Sequence, residues 1–366
     1  MYKYANRIMK LLAAGSMPFP TPVSEMENLV DLSFGQVHYP VPQEAKTAAA
    51  QAIFNDFNSY SDVKGIEALN HSVTKYLYEK FGIKGQTSLI TSGATGGLLL
   101  CFLLLIDRNE EILLPEPYFV GYHHLANICE AKITYYNLYP DFQINIQALE
   151  QKITHKTKAI ILNSPGNPTG SVFSEEELKQ VCEICKKNDV IIISDEIYSD
   201  FVYDMPHISP LTYYPNTILV SGLSKTWAMA GWRLGYVMGP KAYIEPMKAL
   251  QMVTHVCAPS PLQYGGVQAI QCDMSQEISQ YKYKRDMIYN GIKDKYDCKK
   301  PQGAFYIFPK VPKGYNDIQF VEHARKNGLI IFPGRLFSRK ASHFRVSFGV
   351  EDTQLKEGIR ILNSLH

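Results

Sequence analysis

The chain lacks a long apolar run. Its longest, Leu98 to Ile106, is LLLCFLLLI, far short of the ~20 residues a membrane-crossing helix needs. A buried helix fits it better. The chain also lacks a charge imbalance: 37 Lys plus Arg face 35 Asp plus Glu, a net charge of +2. That balance gives no reason to expect nucleic acid or an anionic membrane as a partner. No internal repeat or low-complexity tract is present. The first residues, MYKYANRIMKLLAAG, hold no apolar stretch fit for a signal peptide, because Lys10 interrupts it. A cytoplasmic protein is expected.

Cysteine is sparse and odd in number, seven in 366 residues, which excludes a disulfide scaffold. Only Cys182 and Cys185 form a CxxC pair. They lie in SEEELKQVCEICKKN, where Ser174 and Glu177 make a capping box ahead of a helical pattern. Two cysteines three apart on a helix fit a core-facing stripe, and no second ligand pair accompanies them. His123 and His124 are neighbours whose side chains point apart. No metal site is expected.

What is present is ordinary soluble composition, 46% apolar and 20% charged, long enough for two domains. The runs 110–115, 158–163, 189–196, 216–222 and 234–239 are β-branched and mostly continuous in apolarity. That suits strands buried on both faces. Helical patterns such as 174–187 separate several of them, which predicts an α/β fold with a mostly parallel central sheet. The ends differ. Residues 1–47 carry many prolines and one short helical stretch. From about 263 a long helical pattern leads to PQGAFYIFPK, then to the helix-like DIQFVEHARKNG, then to HFRVSFGV. A large α/β domain over 48–262 is expected, with a smaller α+β domain built from 1–47 and 263–366.

In an open parallel sheet, ligands bind where strands end. One strand runs into Ser164-Pro-Gly-Asn167-Pro-Thr-Gly170, a second into Asp195-Glu-Ile-Tyr198, a third into Leu223-Ser224-Lys225. A glycine-rich helix start, SGATGG, lies at 92–97. Backbone N–H groups at a helix start suit a phosphate. A buried Asp can keep a pyridine nitrogen protonated by charge pairing. A Lys beside cationic or aromatic neighbours can lose its proton and form an imine. Together these describe a pyridoxal 5′-phosphate (PLP) site.

The segment Gly222-Leu-Ser-Lys225-Thr-Trp-Ala-Met-Ala-Gly-Trp-Arg233-Leu-Gly235 resembles, along its whole length, the cofactor-lysine signature of the class I/II, fold-type I aminotransferases. NSPGNPTG at 163–170, SDEIY at 194–198, the PxGAFY segment Pro301–Tyr306 and RVSFG at 345–349 resemble the same family, in its order. The resemblance runs from Gly35 to Arg345, and it implies a role for each matching position. Lys225 would hold PLP as a Schiff base and later carry a proton. Asp195 would pair with the ring nitrogen. Asn167 and Tyr198 would hydrogen-bond the ring oxygen. Phe119 would stack on the ring, with Tyr118 the near alternative. Gly93, Ala94, Thr95, Ser224 and Arg233 would hold the phosphate. Gly222 stands where many relatives carry Ser, so either one phosphate hydroxyl is missing or Ser221 or Ser224 would supply it. Tyr60 would reach the phosphate of the other subunit, implying a homodimer with shared sites. Arg345 would grip the substrate α-carboxylate, helped by Asn167 and the backbone near Gly35. Arg335 and Arg339 are read as solvated.

The activity implied is ping-pong transfer of an amino group from an L-amino acid to a 2-oxo acid. Carbon–sulfur lyases and related synthases share the same cofactor residues and are the alternative. A ligand-sensing regulator would need a DNA-binding segment, and only about 30 residues precede Gly35, with no basic recognition helix. For the substrate, QMVTHVCAPSP at 251–261 offers no arginine, only His255, and Thr95 stands where some acidic-substrate relatives carry Lys. A neutral or aromatic amino donor is expected.

Overall fold

The computed structural model describes residues 4–5, 7–9 and 29–365. Most of the stretch on which the reading of the leader rests lies outside the described residues. No helix among the described residues is long and apolar enough to cross a membrane.

The strands are β1 (Val30–Asp31), β2 (Thr87–Ser92), β3 (Glu111–Glu116), β4 (Lys132–Asn137), β5 (Thr157–Asn163), β6 (Ile191–Asp195), β7 (Thr217–Gly222), β8 (Leu234–Gly239), β9 (Tyr306–Ile307), β10 (Leu329–Ile330), β11 (Phe332–Pro333) and β12 (Phe344–Ser347). The helices are α1 (Gln43–Phe54), α2 (Glu67–Phe81), α3 (Gly93–Leu105), α4 (Val120–Ile128), α5 (Ile146–Glu150), α6 (Glu175–Asn188), α7 (Lys241–Thr254), α8 (Ser260–Gln271), α9 (Ser275–Ile292), α10 (Asp317–Lys326) and α11 (Asp352–Ser364).

Seven strands form the central sheet in the order β2-β8-β7-β6-β5-β3-β4. Pairing is parallel from β4 through β7, and β8 runs antiparallel to both of its neighbours. The five expected runs are all strands of this sheet. β2 and β4 are additional. TSLITS is rich in hydroxyls, and KITYYN is an edge strand with few fully buried positions, so neither shows a continuous apolar run.

Helices cover both faces. Ala159 and Ile161 of β5 pack with α3, α4 and α7, whereas Ile160 and Leu162 pack with α6. The alternation follows from the two-residue period of a strand, and each fully buried Ile contributes ~1.5–3 kcal/mol. The LLLCFLLLI run lies mostly in α3, and Leu98, Leu100, Cys101 and Phe102 are buried. The Ser174–Glu177 capping box is formed at the start of α6. Cys182 and Cys185 are buried in its core-facing side, and burial pushes the Cys182 thiol up to about 12. His123 stacks on Tyr118 and meets the His124 ring edge-on.

The chain ends meet in two small sheets. β1 pairs in parallel with β10, and β11-β12-β9 is antiparallel. The helical pattern from 263 falls into two helices, broken at Cys272, which is extended. PQGAFYIFPK contributes only two residues of strand. Its backbone bonds to loops of the large sheet instead: Gln302 and Gly303 N–H both donate to Gly170 O, and Ala304 N–H to Phe201 O, each at 2.8 Å.

Candidate active site

The carboxyl ends of β3, β5, β6 and β7 point to one side of the sheet. β8 runs the other way, so its start, beside Arg233, meets the end of β2, beside Gly93. Topology alone therefore gathers Phe119, Asn167, Asp195, Lys225, Gly93 and Arg233. β12 brings Arg345 from the other side. They surround a cavity of about 250 Å³.

Asp195 sits at its floor and is buried. Tyr122 Oη donates to its Oδ2 at 2.6 Å, and Ile197 N–H to its Oδ1 at 3.3 Å. No cation among the described residues forms an ion pair with it. Burial pushes the carboxyl up to about 6, although the Tyr122 bond pulls the other way. The site thus holds a carboxylate that wants a positive partner.

Lys225 lies on the wall above. Its Nζ donates to Gly35 O at 2.5 Å and sits 5.7 Å from the Tyr198 ring centre. Burial, with Arg345 and Arg233 nearby, brings the amine down to about 8. A substantial neutral fraction near pH 8 makes it a nucleophile.

Gly93 opens α3 with φ +70. A Cβ there would lie 2.4 Å from Arg233 Nη2, so only glycine lets the guanidinium cover the helix start. Ser92 provides no side-chain cap, which leaves the first N–H groups of α3 facing the cavity beside Arg233. Ser224 lines the same end. Ser221 instead donates to Glu196 O at 3.2 Å. Phe119 forms a wall, edge-on to Tyr122, whereas Tyr118 is buried against His123 and Tyr135.

Arg345 is buried opposite. Nη1 donates to Asn167 Oδ1 at 3.0 Å and Nη2 to Ser33 O at 2.5 Å. The rings of Tyr306, Phe337 and Phe332 lie 4.5, 4.5 and 5.2 Å from its guanidinium carbon. Its Nε is buried with no partner, a donor awaiting an acceptor.

Gly35, Ala94, Thr95, Phe119, Asn167, Asp195, Tyr198, Ser224, Lys225, Arg233 and Arg345 therefore line one cavity, and Gly93 borders it. Tyr60 does not. It stands 81% exposed in the loop between α1 and α2. His255 is exposed at the end of α7 and also lies off the cavity. Sequence reasoning missed several lining residues. Tyr122 has a signal, since it follows Phe119 by three residues. Asn163, whose Oδ1 accepts from Asn167 N–H at 2.8 Å, ends a strand within NSPGNPTG. Phe34 and Phe332 carry no signal. Arg335 and Arg339 are exposed, as read, but each is also ion-paired. Each guanidinium reaches from the surface onto a buried carboxylate, Asp317 and Glu116 respectively.

The donor set fits PLP: an uncompensated buried carboxylate for a protonated ring nitrogen, a depressed lysine amine, and a helix start with an arginine for the phosphate. The comparisons with known proteins agree. The family model for class I and II aminotransferases matches residues 27–362. A probable aspartate aminotransferase of Methanocaldococcus jannaschii is 32% identical over 363 residues, covering 94% of this chain and 97% of that one. Aromatic-amino-acid aminotransferase 2 of Thermococcus litoralis is 29% identical, covering 91% and 90%. The solved alanine aminotransferase of Pyrococcus furiosus superposes with a TM-score of 0.90 at 28% identity, over 99% of each chain. The chain belongs to the class I and II aminotransferases, PLP-dependent enzymes of fold type I that move an amino group from an amino acid to a 2-oxo acid.

Proposed function

We propose that this enzyme carries PLP on Lys225 and takes its amino group from a neutral L-amino acid, aromatic or large aliphatic. The observation that carries the reading is one cavity with a depressed amine, Lys225, between the buried carboxylate of Asp195 and the unpartnered Nε of Arg345. When bound, the cofactor supplies an electron-withdrawing ring that stabilises negative charge at the substrate Cα.

The protein's own groups do the rest. Asp195 holds the ring nitrogen protonated by charge, steadied by Tyr122. Tyr198 and Asn167 hydrogen-bond the ring oxygen. Phe119 holds the ring face. The N–H groups of Gly93, Ala94 and Thr95, with Ser224 and Arg233, grip the phosphate. Arg345 binds the α-carboxylate, with Asn167 keeping its guanidinium in plane and Gly35 lining the approach. That places the Cα hydrogen within reach of Lys225, which takes and returns the proton as general base and acid.

Side-chain preference follows from the walls. Lys225, Arg233 and Arg345 each have a task, and no further cation lines the cavity among the described residues. Phe34, Phe332 and Tyr306 offer rings instead. Relatives carry both aspartate and aromatic names, so kinship does not choose the donor.

A homodimer completes the reading. Phe54 is 85% exposed and Tyr60 81%, next to Phe57, which stacks on Tyr264. Met252 and Val253 on α7 are exposed too, and Gln251 of that helix bonds Val63 O. Large apolar side chains exposed on these neighbouring segments suit a second copy, which would let Tyr60 reach the partner's phosphate. The large domain spans 48–262, the two chain ends form the small one, and the enzyme works in the cytoplasm.

The test is a panel of amino acids added, without any oxo acid, to the purified protein loaded with PLP. Loss of the visible band with one equivalent of a 2-oxo acid supports the proposal and names the donor. Pyruvate and ammonia accumulating under an unchanged band would point to a lyase. Aspartate preferred by a wide margin over Tyr, Phe, Leu and Met would sink the neutral-donor reading.

A further inference from the structure

The ring of Tyr306 lines the cavity, but its hydroxyl has no place in the roles above, and the residue touches three of the groups that do. Its hydroxyl lies 2.8 Å from that of Tyr198, both buried. Its ring lies under the Arg345 guanidinium, 4.5 Å from centre to carbon. Its hydroxyl also occupies the place where a side chain at residue 35 would begin: a Cβ on Gly35 would stand 2.1 Å from Tyr306 Oη. Gly35 is in turn the residue whose carbonyl accepts from Lys225 Nζ. One phenol therefore joins the carboxylate-binding arginine to the phenol next to the cofactor lysine.

We propose that Tyr306 is a positioning residue that fixes the direction of the Tyr198 hydroxyl proton. The inference rests on the cofactor reading above. Two phenols in contact share one hydrogen bond, and each has one proton. The guanidinium over the Tyr306 ring favours negative charge on that phenol, which makes it the better donor of the pair. With Tyr306 donating, the Tyr198 oxygen is already an acceptor, and its own proton is free for the ring oxygen of the cofactor. The chain of two bonds also strengthens the second one. Without Tyr306, the Tyr198 hydroxyl is free to rotate, and its bond to the ring oxygen weakens. The ring oxygen then holds more negative charge and retains the proton of the lysine-bound imine more tightly.

The consequence is spectroscopic. The visible band of the holoenzyme without substrate changes with pH as that proton leaves. In Tyr306→Phe the midpoint should rise by roughly 0.3–0.6 unit, the share of one bond that cooperativity contributes. The phenylalanine keeps the ring under Arg345, so KM for the amino acid should stay within about twofold. Tyr306→Leu removes the ring too, and KM should rise ~3–10-fold. Gly35→Ala pushes into the place of the hydroxyl and should raise the midpoint as Tyr306→Phe does, which provides a second route if either variant folds poorly. An unchanged midpoint in Tyr306→Phe and Gly35→Ala overturns the proposal, as does a KM rise in Tyr306→Phe equal to that in Tyr306→Leu. A wild-type protein with no cofactor band overturns the cofactor reading, and this inference with it. A normal wild-type band with unmoved variants overturns this inference alone.

Discussion

Tyr122 Oη donates a hydrogen bond to Asp195 Oδ2 at 2.6 Å, from a helix whose N-cap is Phe119. The residue that walls the cavity and the residue that steadies its floor thus belong to one turn. Asp195 itself ends β6, so the bond ties α4 to the middle of the sheet. The bond also opposes the burial that pushes the carboxyl up.

Tyr122→Phe removes a hydrogen bond to a charged acceptor in a buried site, worth ~1.5–3 kcal/mol. Asp195 then holds its proton more readily and pairs less well with a ring nitrogen. The expected outcome is a ~10–100-fold lower kcat/KM, with the acid limb of the pH profile moved upward. An acid limb that stays in place would show that Tyr122 only packs.

Lys225→Ala removes the amine that carries the reaction. Turnover should fall by at least ~10⁴-fold, in keeping with the loss of a nucleophile and its proton transfer. The protein should bind PLP at best non-covalently, and borohydride should fix no cofactor to it. Full turnover in this variant would remove Lys225 from the mechanism.

The same lysine gives the cofactor-free protein a pH signature. Its folded pKa is about 8, below the ordinary value of 10.5. Between those values the unfolded chain binds more protons than the folded one, so this group makes stability rise with pH across that window. Lys225→Met should be more stable than wild type at pH 7, and the gap should close as pH climbs past 8 toward 10.5. Thermal unfolding at pH 7, 8.5 and 10 reads it directly; a constant gap contradicts the depressed amine.

Much of the sheet was legible because KAIILN, DVIIIS and TILVSG are apolar without interruption, and strands covered on both faces must be. KITYYN was not, since an edge strand with solvent on it reads like a loop. The gathering of Asn167, Asp195 and Lys225 follows from one rule about strand ends. What the sequence could not show is pairing at long range. Glu116 and Arg339 are 223 positions apart, yet the arginine is held by that buried carboxylate. A local reading sees only PGRLFSRK and assigns its arginines to water. Phe332 escapes for the same reason, facing Arg345 only through the β11–β12 pairing.

Arg345→Lys keeps the charge and loses the fork. The guanidinium holds Asn167 and Ser33 and still has Nε to offer, which an ammonium cannot match in that geometry. KM for the amino acid should rise ~30–100-fold, from the loss of a charge-assisted bond, while cofactor binding stays intact. A KM within twofold of wild type would move the α-carboxylate elsewhere.

Tyr60 stands exposed, outside the cavity of its own chain, so a role for it requires a second chain. Mixing two damaged proteins tests this. Tyr60→Ala should bind cofactor ~10-fold more weakly, the cost of one phosphate hydrogen bond to a charged acceptor, and be poorly active at limiting PLP. Lys225→Ala should be inactive. In a mixed dimer the intact Lys225 of one chain faces the intact Tyr60 of the other, so one complete site forms per mixed pair. Unfolding and refolding the two together at limiting PLP should therefore give more activity than the sum of the separate proteins. If mixing gives only that sum while gel filtration shows dimers, Tyr60 acts on neither site and the shared-site reading is wrong.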